Sequence, residues 1–257
     1  MSAKTSSSEE YLNQEETILT HLNELRKRLT WAAGSLLLMT TISFIFAEPL
    51  LNFLLVPYTN SAPGGAGLQT LRPTEGIETF FKVSLLSGAI LSMPLILYQF
   101  WLFIKPGLSK HERRYIYIFL PSALILFSLG IAFAWFILVP ASVQFLANFL
   151  PDVFKTDWTG QEYISFLTTM LFWIGVSFEM PVILYFVARL GLITSKTLRE
   201  QWRIAVVAIA VIAAAITPSI DPITMLLTML PLNILYGMSI ISAHIGQRQF
   251  EKSVAVE

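Results

Sequence analysis

Three glutamates stand out among the residues of this chain that could do chemistry. Glu179 interrupts an otherwise uncharged stretch from Tyr163 to Ala188. A carboxylate at bilayer depth is expensive unless it is protonated, paired or hydrated, so it is a functional candidate by position. Thr168, Gly175 and Glu179 share one helix face at spacings of seven and four, and Pro181 frees backbone carbonyls nearby. The alternative is a protonated structural acid bonded to a neighbouring helix. Glu24 and Glu112 sit instead among bases, in His21-Leu22-Asn23-Glu24-Leu25-Arg26-Lys27-Arg28-Leu29 and Lys110-His111-Glu112-Arg113-Arg114. Each could pair with an adjacent arginine, a contact worth about 0–1 kcal/mol when exposed. Equally, the two could present carboxylates to a basic peptide at a membrane surface.

Other chemistries are poorly provided for. There is no phosphate loop, dinucleotide fingerprint, zinc-protease motif or nucleophile elbow. The three histidines, His21, His111 and His244, fall in separate segments, and there is no cysteine, so neither a metal site nor a cofactor is expected. Lysine plus arginine equals aspartate plus glutamate at 17 each, which gives no reason to expect a nucleic-acid partner. An intramembrane enzyme needs a paired nucleophile and base or two acids, and only Glu179 is available at depth.

The elements that must position these residues are apolar helices. Hydrophobic residues make up 54% and charged residues 13% of the 257-residue chain, too little polar surface for a water-soluble globule. Uncharged runs extend over Leu29–Ala47, Val83–Ile104, Tyr115–Leu150, Ile204–Ile220 and Pro222–Gln247, beside the stretch around Glu179. A bilayer core of about 30 Å needs roughly 20 such residues, and lipid forces them to be helical. The pattern predicts one all-α polytopic membrane domain over 1–257. Six transmembrane helices are expected at 29–47, 80–104, 115–139, 162–188, 204–217 and 223–243. Tails at 1–28 and 244–257 flank them. Pro140 is the expected break in the third run, with Ala141 to Leu150 lying at the interface. The fifth helix, ending before Pro218, offers only about 21 Å, which predicts local bilayer thinning. Lysines and arginines crowd alternate connections, 14 of the 17 on the side of the termini, so both termini are expected in the cytoplasm. No cleavable signal is evident in the first 28 residues.

A stripe of Ser84, Gly88 and Ser92, with Gln99 seven residues further on, suits close helix packing. Trp101, Phe103, Trp135 and Trp158 suit interfacial belts.

Taken in order, these segments resemble the TatC family, the polytopic subunit of the twin-arginine protein translocase. His21 to Leu29 is similar to that family's N-terminal motif. Leu97-Tyr98-Gln99-Phe100-Trp101-Leu102-Phe103-Ile104-Lys105-Pro106-Gly107-Leu108 followed by Lys110 to Arg114 is similar to its first cytoplasmic loop. Gly175-Val176-Ser177-Phe178-Glu179-Met180-Pro181 resembles its fourth helix, and Thr217-Pro218-Ser219-Ile220-Asp221-Pro222 its last external turn. The chain departs from the family pattern at Gly237 and Met225.

The resemblance implies a cupped, concave bundle and a receptor rather than an enzyme. It implies a translocase core subunit that exports folded cargo bearing twin-arginine signal peptides across a bacterial-type plasma membrane or equivalent energised membrane, driven by the proton-motive force. The implied partners are those signal peptides, TatA-like and TatB-like single-span subunits, further copies of the chain, and lipid. The implied signal-contacting residues are Glu24 and Glu112, with Arg26, Leu29 and Phe103 beside them. Glu179 and Gln99 are the implied intramembrane polar, partner-contacting residues, and Pro57 and Asp221 the external-loop positions. The rival reading is a secondary transporter or channel built around an intramembrane acid. It should show interrupted helices around a midplane site, which the sequence does not suggest.

Overall fold

The computed structural model describes residues 3–61, 68–105, 116–149, 158–217 and 221–254. Among these the secondary structure is helical, apart from one isolated bridge between Gln69 and Thr159. The helices are α1 (Ala3–Ile45), α2 (Ala47–Leu54), α3 (Val56–Ser61), α4 (Glu75–Ile104), α5 (Ile116–Phe133), α6 (Val139–Ala147), α7 (Gly160–Ser177), α8 (Met180–Arg189), α9 (Ser195–Glu200), α10 (Trp202–Ile216) and α11 (Pro222–Val254). Among the described residues, five helical stretches are long and apolar enough to cross a bilayer: Leu22–Ile45, Glu75–Ile104, Phe119–Ala147, Gly160–Arg189 and Pro222–Lys252. Trp202–Ile216 is apolar but shorter, about 22 Å long against a hydrocarbon core of about 30 Å.

Several elements differ from expectation. A turn at Phe178 and Glu179 divides the expected helix over 162–188 into α7 and α8, and helix continues into both expected tails, to Val254 in α11 and back to Ala3 in α1. Neither glycine nor proline occurs before Gly34, so nothing local stops α1. Nor does the expected third helix break at Pro140. It passes through a π-helical turn at Ala134–Leu138 and continues as α6, with Pro140 in the first turn. A proline ring collides with the carbonyl four residues earlier. The wider π turn immediately before Pro140 gives that collision room.

Small residues set the helix spacing. A Cβ built on Gly88 would lie 2.5 Å from Thr40 Cα, so α4 and α1 touch backbone to backbone there, with Ser84 and Ser92 fully buried one turn either side. Gly246 does the same for α11 against α8: a Cβ would collide with the Tyr185 carbonyl oxygen. The main core surrounds α7, where Ile164, Leu167, Met170 and Ile174 are buried together with Val83 and Leu86 of α4 and Leu138 of the π turn. A second cluster joins α4, α5 and α8 through Trp101, Phe127 and Phe186, with Trp101 edge-on to Phe186 at 4.0 Å between ring centroids.

The end of the bundle opposite the termini is tied by polar contacts. Gln69 N–H donates to the Trp158 carbonyl at 3.1 Å, and Gly160 N–H returns a bond to Gln69 at 3.0 Å. Glu75 accepts from the backbone N–H groups of Leu71 and Arg72 at 2.6 and 3.3 Å. The Tyr163 hydroxyl donates to the Leu54 carbonyl at 2.9 Å. Thr159 caps α7 by accepting from Glu162 N–H at 3.2 Å.

Candidate binding site at the terminal end of the bundle

The lower halves of α1 and α4 bring Glu24, Leu29, Gln99 and Phe103 into one neighbourhood. Glu24 and Arg28, one turn apart on α1, form an ion pair with 3.2 Å between Oε1 and Nη2. Arg28 Nη1 also points to Gln99 Oε1 on α4, at 3.5 Å. Both members of the ion pair keep about a quarter of their side-chain surface exposed, 28% for Glu24 and 25% for Arg28. Beside them lies a shallow apolar groove of about 160 Å³ lined by Leu25, Leu29, Ala32, Ile96, Phe100 and Phe103. Leu29 is 66% exposed and Leu25 43%, so apolar surface flanks the charged pair rather than being packed away. Arg26 is exposed on the same helix, its carbonyl accepting from the Thr30 hydroxyl.

This arrangement can bind a cationic group next to an apolar chain. A carboxylate offers two oxygens, and Arg28 engages only Oε1 of Glu24. Partial burial raises the worth of a charge-assisted bond above that of an exposed pair. Sequence reasoning misses Arg28 as a site residue. Its signal is the i, i+4 spacing Glu24–Arg28, but Lys27 also qualifies at i, i+3, and only the position of Gln99 singles out Arg28. Glu112 lies outside the described residues.

The remaining candidates are elsewhere. Glu179 is 4% exposed in the turn between α7 and α8, and its Oε1 finds no hydrogen-bond partner among the described residues. Gly175, one turn earlier, faces Phe127 and Ile131 of α5. Asp221 precedes α11 and accepts from Thr224 N–H through Oδ1 at 2.6 Å, so one of its oxygens caps the helix while Oδ2 has no partner among the described residues. Pro57 is buried in α3. His244 Nδ1 lies 3.3 Å from Ser195 Oγ, in a contact between α11 and α9 that Gln247 reinforces by accepting from Ser195 N–H at 3.1 Å.

The model of the Sec-independent protein translocase protein (TatC) family matches residues 20–231, which include Glu24, Phe103, Glu179 and Asp221. The chain belongs to the TatC family. It is 37% identical over 228 residues to the Sec-independent protein translocase protein TatC of Helicobacter pylori, covering 89% of this chain and 87% of that one. It is 39% identical over 229 residues to an uncharacterized tatC-like protein of Gracilaria tenuistipitata var. liui, covering 89% and 94%. A crystal structure described as the twin arginine translocase receptor TatC superposes with a TM-score of 0.80 at 36% identity, over 88% of this chain and 99% of that one. A second structure of that receptor, in DDM, also gives 0.80, at 38% identity over 86% and 98%. This family member is therefore a membrane protein of the protein-translocation machinery, built from several apolar helices.

Proposed function

We propose that this TatC family member is the signal-peptide receptor and core subunit of a translocase that exports folded proteins with twin-arginine signal peptides, driven by the proton-motive force. The observation that supports it is the partly exposed Glu24–Arg28–Gln99 cluster beside an apolar groove. A twin-arginine signal is an arginine pair followed by an apolar stretch. Guanidinium matches a carboxylate with two parallel bonds, which an ammonium cannot copy. Glu24 receives one arginine, displacing or sharing Arg28, and Glu112 the other. Leu25, Leu29 and Phe103 receive the apolar segment that follows, with Arg26 at the rim. Both termini and this site face the cytoplasm, a reading supported by the excess of lysine and arginine at that end. TatA-like and TatB-like single-span subunits and further copies of the chain complete the assembly, with Glu179 and Gln99 as contact positions and Pro57 and Asp221 as positions of the external loops.

The test is photocrosslinking with a probe at Leu25 or Phe103 and a synthetic twin-arginine peptide. The wild-type chain should crosslink to the Arg-Arg peptide and about tenfold less to Lys-Lys, the loss expected when two charge-assisted bonds weaken. Glu24→Gln should narrow that ratio. An Arg-Arg to Lys-Lys ratio unchanged in both Glu24→Gln and Glu112→Gln would place recognition elsewhere. Topology has its own test: the chain has no cysteine, so single thiols at Ser61 and at the exposed Lys196 should label from opposite sides.

A further inference from the structure

A second groove lies on the other half of the bundle, between α1, α4 and α7. Its volume is about 400 Å³ and its lining includes Lys82, Ser165, Leu36, Leu85, Phe172 and Trp173. Lys82 Nζ donates to Ser165 Oγ at 2.5 Å. The acid best placed to neutralise it is Glu78, one turn earlier at the favourable i, i+4 spacing. Glu78 is occupied: Oε1 accepts from the Thr74 hydroxyl at 3.1 Å, and Oε2 accepts from Gln161 Nε2. Among the described residues Lys82 has no carboxylate within 4.0 Å. An ammonium with three donors therefore uses one of them, on a neutral hydroxyl, at the lip of an apolar groove.

The depth of each lining residue identifies the ligand. The 30 residues of α4 make a rod of about 45 Å. Centred on a hydrocarbon core of about 30 Å, it overshoots by about 7 Å at each end. Lys82, about 10 Å along the helix from Glu75, then lies just inside the hydrocarbon edge, where a lysine extends its head to the phosphate level. Ser165, about 8 Å from the start of α7, is level with it. Ala89 and Trp173 lie about 20 Å from the starts of their helices, near the bilayer midplane. The groove is thus cationic at one leaflet's headgroup level, hydroxylated one turn deeper at Thr168 and Thr169, and apolar from there to the middle of the membrane. A spanning helix of a partner would need the full thickness. One phospholipid leaflet needs half of it, with the charge at this end.

We propose that the groove binds an anionic phospholipid of the leaflet opposite the termini. The lipid phosphate pairs with Lys82 Nζ, and an acyl chain lies against Leu36, Leu85, Phe172 and Trp173. This assignment is independent of the signal-peptide site, which lies at the other end of α1 and α4.

The experiment reconstitutes the full chain in phosphatidylcholine nanodiscs doped with phosphatidylglycerol or phosphatidylcholine brominated at mid-chain. It reads quenching of Trp173, taken as the signal lost in Trp173→Phe. Trp173 is 47% exposed and within reach of such a chain. Brominated phosphatidylglycerol should quench at about fivefold lower mole fraction than brominated phosphatidylcholine, the effect of one cation at a membrane surface. Lys82→Gln should abolish that preference, and Lys82→Arg should retain it. Equal quenching by the two lipids in the wild-type chain overturns the proposal, as does a preference that survives Lys82→Gln. Protection of Trp173 by an added single-span peptide, with phosphatidylglycerol present, would assign the groove to a protein helix and equally overturn it. If Lys82→Gln fails to fold, the wild-type and Lys82→Arg comparisons between the two lipids still decide the outcome.

Discussion

Substitution of Gly88 tests whether close approach of α1 and α4 builds the candidate signal site. The methyl of Gly88→Ala would lie 2.5 Å from Thr40 Cα and 2.6 Å from Thr40 N. Unstrained carbon contacts need about 3.5–4.0 Å, and both obstructing atoms are backbone, so no rotamer change relieves them. The helices must separate by about 1 Å. Overpacking of this kind costs about 1–3 kcal/mol, and the better helix propensity of alanine returns about 1 kcal/mol. The net loss is up to about 2 kcal/mol, which for a chain of this size lowers Tm by at most roughly 4–8 °C. Gly88→Leu should exceed that range. Gly237→Ala is the control: nothing lies within 4 Å of its built Cβ, so only the propensity gain remains and Tm should hold or rise. Thermal unfolding in a mild detergent reads both. A second measurement reads geometry. Gln99 is eleven residues from Gly88 and Arg28 twelve from Thr40, so separation at the crossing widens the 3.5 Å Arg28–Gln99 contact. A cysteine pair at Ala32 and Ile96, which line the same groove, should form its disulfide several times more slowly in the Gly88→Leu background. A Gly88→Ala chain as stable as wild type, with unchanged disulfide formation in Gly88→Leu, would refute this account of the crossing.

Three further substitutions separate structural from functional roles. Asp221→Ala removes the cap on Thr224 N–H and should cost about 0.5–2 kcal/mol, while Asp221→Asn keeps an acceptor and should cost less; equal losses by thermal unfolding would mean that the charge matters rather than the cap. Tyr163→Phe deletes the bond to the Leu54 carbonyl in a site where Tyr163 is 1% exposed, leaving that carbonyl unpaired, and should cost about 1–3 kcal/mol in the same assay. Glu179→Gln removes a buried acid whose Oε1 has no partner among the described residues, so folding stability should hold or rise while transport of a twin-arginine reporter falls; a drop in Tm with transport intact would make Glu179 structural.

What is legible in the sequence follows from how many physical demands each feature answers. The apolar helices are readable because lipid leaves no alternative to helix over an uncharged run of this length. The Ser84–Gly88–Ser92 stripe is readable because residues four apart must share a face. The π turn is not, because Pro140 signals only that its collision with an earlier carbonyl must be met, and a break and a widened turn both meet it. The cap at Asp221 is within reach: aspartate before Pro222, with Thr224 in the first turn, is a helix start. The partner of Glu24 is half legible. Spacing excludes Arg26 but offers both Lys27 and Arg28, and choosing between them requires knowing which face of α1 meets Gln99. Lys82 is visible as a charge at the head of a helix. Its lack of a counter-ion depends on Gln161, 83 residues beyond Glu78, taking one oxygen of that acid.

On the proposed reading, the intermediate exposure of the Glu24–Arg28 pair is what lets it recognise a signal and release it. A fully exposed carboxylate would give an incoming arginine about 0–1 kcal/mol and barely distinguish it from lysine. A fully buried one would impose on every entering cation a desolvation cost that can exceed the gain from the contact. At about a quarter exposed, Glu24 lies between these limits, where the two-bond geometry of guanidinium can count. Arg28 adds a second adjustment. Because it already holds Glu24 Oε1, the carboxylate does not stand bare in the empty site, and binding becomes an exchange of one arginine contact for another. Exchange leaves only the surplus as affinity: the second bond to the carboxylate, the other arginine at Glu112, and the apolar segment laid along Leu25, Leu29 and Phe103. The expected consequence is that removing Arg28 strengthens rather than weakens peptide binding. In Arg28→Gln nothing competes with the incoming arginine for Glu24. Titration of a fluorescent twin-arginine peptide into detergent-solubilised protein should give a Kd lower by several-fold than wild type. A Kd raised to the level of Glu24→Gln would mean that Arg28 holds Glu24 in its binding position, and that the ion pair supports the site instead of competing for it.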